Sequence, residues 1–408
     1  MLMKYIKSNK GLLPYSFFDF ANSSFTLIIH AYLFPLYFKN VLFKGDPKGD
    51  AVWGATFSMS VVLAAVVAPF IGRIADRRGR YPLFLTVSVL SFVTTFLLSF
   101  MVGGSLTFVI IAFIIANACF YLASNIYDSL LTLLVPEEGR ARFSSFAWGF
   151  GYVGGILSLV GVYFIQNRVG IASSAPYIFV AAFYTLFGLI SVLTLKKYVS
   201  GDVRESRITL VEMLKVLDKP RLLLLLGYWL IADVVSAIIL FTAIYISNEL
   251  KLSDQAIGIF MLATQFLAFP NTYLMARLSD KIGVAKTLYI CILIWLVIIG
   301  MLVFRTNIYG LMLLSILTSL VIGTTQSLMR AQYSLYLERY RTSEIFGWYA
   351  IATESSSILA PLVFGLVAAV FASQRLAMGL LAFPLIAGIF FIQKAINLFG
   401  MKAQNTKG

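Results

Sequence analysis

Twelve apolar blocks fill almost all of this 408-residue chain, each near the roughly 20 residues that a helix needs to cross a hydrocarbon core. They run at 12–38, 51–72, 81–102, 106–134, 143–166, 174–195, 221–247, 254–276, 287–304, 308–336, 345–371 and 376–398. The connections are short, so little chain is left for a soluble domain. Hydrophobic residues make up 60% of the sequence and charged ones 12%, against about 45–50% and 25% in soluble proteins. Mean hydropathy is +0.89. The expected fold is an all-α membrane protein of twelve transmembrane helices, numbered here as spans 1 to 12 in chain order.

A net charge of +14 would suit a nucleic-acid partner if it were clustered on one soluble face. It is not. With the N-terminus placed inside, about 25 of the 32 basic residues fall on the inner segments, as positive-inside topology requires. The basicity therefore sets orientation: both termini cytoplasmic, and no nucleic acid as a partner. The compact loops favour a cell membrane, with the vacuolar membrane its counterpart in a eukaryotic cell. Cys119 and Cys291 both lie within apolar spans and read as small buried hydrophobes, with no disulfide or metal site implied. The first span has no small-residue cleavage site after it and reads as a retained anchor. No phosphate-binding Gly-x-x-x-x-Gly-Lys loop occurs, and His30 is the single histidine. An ATP-driven pump, a metalloenzyme and a resident cofactor are all disfavoured.

The longest polar stretch, Lys196 to Arg221, sits at the midpoint and mixes seven basic with four acidic residues. Leu210, Val211, Leu214 and Leu217 at helical spacing suggest a short surface helix within it. The expected organisation is a six-helix bundle over 1–197, a cytoplasmic linker over 198–220 and a second bundle over 221–408. The halves repeat in detail. The charged turn Gly72 to Arg80 after span 2 returns 204 positions later as Ala276 to Gly283 after span 8. Asp19-x-x-Asn22 in span 1 is echoed by Asp233-x-x-Ser236 in span 7, and Tyr127-Asp128 in span 4 by Met329-Arg330 in span 10. A duplicated bundle with a cavity between its halves is the architecture of a secondary transporter. Small residues at Gly54, Ser58, Ala65, Ala68 and Gly72 of span 2, and at Ala147, Gly151 and Gly155 of span 5, would let helix backbones approach closely in lipid.

Ionisable side chains at bilayer depth are costly and are functional candidates by default. Span 1 aligns Asp19, Asn22, Ser23, Thr26 and His30 on one face about 16 Å long. Span 4 does the same with Asn117, Tyr121, Ser124, Asn125 and Asp128. Span 7 offers Asp233 and Ser236, span 8 Gln265, and span 10 Ser315, Ser319, Gln326 and Arg330. Structural readings compete at several positions: Asp19 can cap or pair with a basic terminus, His30 can be a satisfied core residue, and Arg330 can snorkel to the surface. Glu354 in span 11 should sit at the depth of Arg330 and can pair with it. Pro35, Pro69, Pro270 and Pro361 fall within or at the ends of spans, where they can bend a helix.

The turn after span 2 carries more than topology. Chain reversal at the surface favours glycine at Gly72, and Asp76 can bond a helix N-terminus. Gly72-x-x-x-Asp76-Arg77-x-Gly79-Arg80 resembles the signature of the major facilitator superfamily, a family of twelve-helix transporters. The resemblance implies a latch in which Asp76 binds the start of span 11 and Arg80 draws in Asp128. It also places spans 1, 4, 7 and 10 around the cavity, the helices on which most of the polar stripes fall. In the second copy Asp280, Lys281 and Gly283 persist, while Ala276 and Val284 replace the first glycine and the last arginine, so a looser latch is expected there.

Further motifs resemble the vacuole-effluxer branch of that superfamily, which includes an autophagy-related amino-acid permease. They are Phe18-Asp19-Phe20-Ala21-Asn22-Ser23-Ser24-Phe25, Tyr127-Asp128-Ser129-Leu130-Leu131, Ser144-Ser145-x-x-x-Gly149-x-Gly151-Tyr152-x-Gly154-Gly155, Gln326-x-x-x-Arg330 and Phe346-Gly347-x-Tyr349. Where that branch has Gly-Lys in span 11 this chain has Thr353-Glu354, a charge reversal that bears on which solute is carried. The expectation is a monomeric secondary transporter, not an enzyme, that moves a small polar solute such as an amino acid by alternating access, with protons as the coupling ion and lipid as its surroundings. The alternative is a non-transporting sensor or scaffold on the same fold.

Overall fold

The computed structural model describes residues 10–135, 137–199, 218–304, 308–334, 352 and 355–405, and the expected linker helix lies outside them. All the regular elements among the described residues are helices. Eleven are long and apolar enough to cross a membrane, and Leu359–Val370 supplies a shorter apolar helix within the block assigned to span 11. Their outward faces carry large apolar side chains such as Phe100, Phe164, Phe266 and Phe390, each more than half exposed, as lipid contact requires. Cys119 and Cys291 are free and buried.

Several helices outrun their apolar blocks. Span 2 runs Lys48–Arg78 and span 8 Asp254–Ile282, so the charged segments expected as turns are helical. The reversal comes at single residues instead: Gly79 at φ 90° and Gly283 at φ 94°, a left-handed region that favours glycine. Gly72 therefore lies inside a helix, and a methyl group placed there would meet nothing within 4 Å. Its expected role in reversing the chain passes to Gly79. Hydropathy marks where lipid ends; it does not mark where backbone hydrogen bonding ends.

Other spans are broken where the apolar pattern is unbroken. Span 1 is α-helical over Leu12–Ser24, widens into a π-helix over Phe25–Ala31, breaks at Tyr32 (φ −128°, ψ −87°) and resumes as Leu33–Leu36 and a second π stretch, Tyr37–Leu42. Pro35 has no N–H to offer the carbonyl of Ala31, which removes one α-type bond at the break. Span 10 divides into Ile308–Val321 and Thr324–Ser334 around Gly323, and span 12 into Gln374–Leu380 and Ala382–Asn405, just before Pro384.

The chain forms two compact units. The first comprises Met1–Asp46, Met59–Ser206 and Ile246–Phe266; the second comprises Pro47–Ser58, Arg207–Tyr245 and Leu267–Gly408. Each therefore takes a short segment from the other half of the sequence. In the first unit span 1 packs against span 5 (Glu137–Val169) and span 6 (Ala175–Leu195). A methyl group on Gly154 would stand 2.2 Å from the carbonyl oxygen of Phe20, and one on Gly151 would stand 3.2 Å from that of Asp19. The glycines of span 5 thus let the two backbones touch, which fixes the height of Asp19 and Asn22. In the second unit Gly54 and Gly365 do the same, with the carbonyl oxygens of Pro361 and Asp50 each 2.3 Å from where a methyl would go. Gln374 adds a 2.8 Å hydrogen bond from its amide to Asp50 Oδ1.

Candidate functional site

In the first unit the expected stripes of spans 1 and 4 face each other. The buried Tyr127 hydroxyl lies 2.9 Å from Asp19 Oδ2 and 3.0 Å from the carbonyl oxygen of Tyr15. Its ring stacks on Tyr15 at 4.1 Å, so aromatic packing holds the donor that Asp19 needs. One turn on, Asn22 Nδ2 is 3.5 Å from Ser124 Oγ, a contact at the limit of hydrogen bonding. Asn22 Oδ1 has no hydrogen-bond partner among the described residues. The Ser23 hydroxyl donates to the carbonyl of Asp19 at 2.9 Å. Thr26 is exposed and bonds back to its own helix. Gln265 joins from span 8: its Nε2 lies 3.2 Å, and Ser23 Cβ 3.5 Å, from where a methyl on Gly155 would sit. Tyr121, Ser124 and Asn125 are half-buried on the facing stripe of span 4. Spans 1, 4 and 8, packed against the glycines of span 5, therefore bring together one carboxylate and several neutral amide and hydroxyl groups, an arrangement able to exchange hydrogen bonds with a small polar solute.

His30 is built into the packing above this group. Its Nε2 lies 2.6 Å from Asn117 Oδ1, and Asn117 Nδ2 donates to Ser60 Oγ at 2.7 Å. With the amide so oriented Oδ1 accepts, and the ring proton sits on Nε2. Tyr121 stacks on the imidazole at 6.0 Å, with Phe25 and Phe120 edge-on at 5.1 and 5.5 Å. The residue lies in the π-helical stretch, and its bond bridges spans 1, 4 and 2.

In the second unit Asp233 is only 3% exposed. Its Oδ2 accepts a 2.7 Å hydrogen bond from the backbone N–H of Ala360, at the start of helix Leu359–Val370. Ser357 Oγ donates to Ser236 Oγ at 2.8 Å, and Trp229 Nε1 donates to Ser355 Oγ at 3.2 Å. The helix Leu359–Val370 begins where it does for a local reason. Ser355, Ser356 and Ser357 compete with the backbone for hydrogen bonds, and Pro361 has no N–H for the carbonyl of Ser357 but fits the first turn of a helix. The N–H groups so released point at Asp233, which is buried against span 11. Gln326 is half-buried and Arg330 exposed. Glu354 falls outside the described residues, and with it the expected pair with Arg330; Gly347 and Tyr349 lie outside as well.

At the charged turns Arg80 Nη1 donates to the backbone carbonyl of Ser129 at 2.9 Å, next to the exposed Asp128. Arg80 thus reaches the end of span 4. The side chains of Asp76 and Arg77 lie outside the described residues. In the second copy Arg277 sits over the ring of Tyr273 at 4.7 Å, and Asp280 and Lys281 are exposed.

Sequence reasoning names Asp19, Asn22 and Asp233 but misses what holds them: Tyr127 as donor to Asp19, and Ser355, Ser357 and Trp229 around Asp233. The serine run ahead of Pro361 is the available signal. It also misses a bridge in the first unit, where Gln166 Nε2 donates to the hydroxyl of Tyr32 and that hydroxyl donates to the carbonyl of Asp254 at 2.8 Å.

Residues 42–398 match the family described as vacuole effluxer Atg22 like. The chain is 24% identical to an uncharacterized MFS-type transporter, YxiO of Bacillus subtilis (strain 168), over 96% of this chain and 95% of that protein. Among solved structures, a mutant of the nucleoside transporter NupG superposes with a TM-score of 0.74 at 14% identity, covering 95% of this chain and 99% of that one. A bacterial homologue of the iron transporter ferroportin, in its inward-facing state, gives 0.70 at 16% identity, covering 97% and 99%.

Proposed function

We propose, from the premise that this chain belongs to the Atg22-like vacuole effluxer family and is a membrane transporter of the major-facilitator type, that it carries a small polar solute by alternating access, coupled to protons. The observation that carries this reading is the group formed by Asp19, Asn22, Ser124 and Gln265. Its polar atoms converge from three helices, spans 1, 4 and 8, and Asn22 Oδ1 is left unused among the described residues. A site rich in neutral donors and acceptors suits a solute that offers both kinds of group, such as an amino acid. Nucleosides offer both as well and belong in the same screen. The two sequence halves, 1–197 and 221–408, act as the moving bundles in a monomer with both termini cytoplasmic in the cell membrane. Asp76, Arg80 and Asp128 form the latch at that face, with Asp280, Lys281 and Gly283 as its weaker copy. His30, Tyr121, Asn125, Ser236, Gln326, Arg330 and Glu354 line or support the solute and proton path.

The test has two stages. Thermal stabilisation of the purified protein by panels of amino acids, nucleosides and sugars finds the solute, since a ligand bound to the folded state raises apparent stability. Uptake of that solute into proteoliposomes is then measured with and without a pH gradient. Equal rates under both conditions remove the proton coupling. Asn22→Ala should weaken solute affinity by roughly 5- to 30-fold, the equivalent of one or two hydrogen bonds, and unchanged affinity removes the site.

A further inference from the structure

Asp233 is 97% shielded, yet only one of its carboxylate oxygens is engaged. Oδ2 receives the Ala360 N–H, and the amides of Leu359 and Ile358 bear on the carboxylate from the same helix start. Among the described residues Oδ1 has no hydrogen-bond partner. A helix N-terminus favours a negative charge, which accounts for Oδ2. A bare carboxylate oxygen withdrawn from water is costly unless a donor or a positive charge reaches it. The geometry therefore provides for one oxygen and leaves the other open.

The surroundings narrow what fills it. Among the described residues, no charged or titratable side chain bears on this carboxylate from span 7, from span 11 or from the segment of span 2 packed on it. The nearby polar groups are already engaged: Ser236 with Ser357, Ser355 with Trp229, and Ser58, whose hydroxyl donates to the carbonyl of Ile358 at 2.7 Å. A metal cation needs a shell of several oxygen ligands, which these paired hydroxyls do not supply. A proton needs one oxygen.

We infer that Asp233 is a proton-operated cap on span 11. As a carboxylate it holds the start of Leu359–Val370 through a charge-assisted bond to the Ala360 N–H. A proton taken up at Oδ1 makes the group neutral, leaves Oδ2 a weaker acceptor and frees the start of Leu359–Val370 to move along span 7. The inference deepens the proton-coupled reading above and rests on it for what the motion achieves. The switch itself can be observed with no solute present.

Trp229 is the natural reporter, because its indole N–H is bonded to Ser355 in the segment that the cap holds. The full-length protein carrying Trp229 as its sole tryptophan, with Trp53, Trp148, Trp295 and Trp348 replaced by Phe, is followed by fluorescence over a pH series without solute. Hydrogen exchange of the peptide covering 355–361, corrected for intrinsic rates, gives a second reading in the otherwise unaltered chain. The expected result is one sigmoidal emission change, with faster exchange on its acid side. Asp233→Asn should abolish the transition and hold the emission at the acid-side value, while Asp233→Glu should retain a transition with a displaced midpoint. A transition that survives in Asp233→Asn overturns the inference, as does a flat signal in both readings of the parent chain. A response to sodium at fixed pH with none to protons assigns Oδ1 to a metal cation and overturns it too. A clear switch in a protein that moves no solute leaves the cap standing and removes only the transport reading; proton-coupled uptake with a flat signal does the reverse.

Discussion

Two glycines in this protein meet a backbone carbonyl at almost the same distance, yet substituting them should have different consequences. A methyl on Gly54 would lie 2.3 Å from the carbonyl oxygen of Pro361, and one on Gly154 would lie 2.2 Å from that of Phe20, where ordinary contact begins at 3.4 Å. By subtraction each alanine must push the helices apart by at least 1.1 Å at Gly54 and 1.2 Å at Gly154. Neither obstacle is a flexible side chain. Overpacking of this kind costs about 1–3 kcal/mol. Gly154 and Phe20 both belong to the first half of the sequence, which a rocking transporter moves as one body, so Gly154→Ala should lower thermal stability and leave the balance of states alone. Gly54 and Pro361 come from opposite halves, and their contact must break whenever the halves separate. Gly54→Ala should therefore favour the state that lacks the contact by roughly 5- to 150-fold, the same energy read as a population ratio. The assay is labelling of a single cysteine at Ser58, which bonds span 11 beside this contact, by a membrane-impermeant maleimide, with thermal unfolding measured in parallel. Labelling should rise in Gly54→Ala and stay at the parent level in Gly154→Ala. If both variants lose stability equally and label alike, the contact at Gly54 is static packing and the reasoning fails.

Three further outcomes follow from single contacts. Tyr127→Phe removes the donor to Asp19 and should cost about 1 kcal/mol of stability; solute uptake should fall while the fold persists, and unaltered uptake would make that bond incidental. His30→Ala breaks a buried bridge and strands the Asn117 amide, so unfolding should become easier by about 1–3 kcal/mol; His30→Gln should recover most of it, and a pH dependence of transport that disappears in His30→Gln would show that the imidazole handles protons. Gly79→Ala and Gly283→Ala force alanine into a left-handed backbone at a cost of about 1–2 kcal/mol each, whereas Gly72→Ala, inside its helix with open space beside it, should be neutral or mildly stabilising by thermal unfolding.

The fold was legible because lipid imposes a length and a polarity on every span. Hydropathy is blind to which carbonyl bonds which amide, however. The π-helical stretches of span 1, the break at Gly323 and the non-helical turn at 355–358 ahead of Leu359 all lie within apolar blocks, and only Pro35, Pro361 and the serine run hint at them. The same blindness moved the reversal from Gly72 to Gly79, since the charged residues after Gly72 leave the membrane but continue the helix. The site was half legible. Asp19, Asn22 and Asp233 stand out as polar groups at apolar depth. Periodicity cannot report that the partner of Asp233 is a backbone amide, because every residue but proline carries one.

This difference in partners also breaks the internal repeat. Asp19 and Asp233 are counterparts by position, but Asp19 takes its hydrogen bond from a side chain on span 4 and Asp233 takes its own from the start of Leu359–Val370. Span 5, the first-half counterpart of span 11, runs unbroken from Glu137 to Val169, so its N–H groups at the height of Asp19 are engaged within the helix. Its glycines offer Asp19 only backbone contact, and the carboxylate has to find a hydroxyl elsewhere. In the second half the serine run and Pro361 release those N–H groups, and the aspartate caps them. The repeated motif carries two acidic residues at corresponding positions, and the turn ahead of Leu359–Val370 gave them different work. Asp19 is fixed by an aromatic that is itself packed in place, which suits a binding group. Asp233 holds an element that can come loose, which suits a switch.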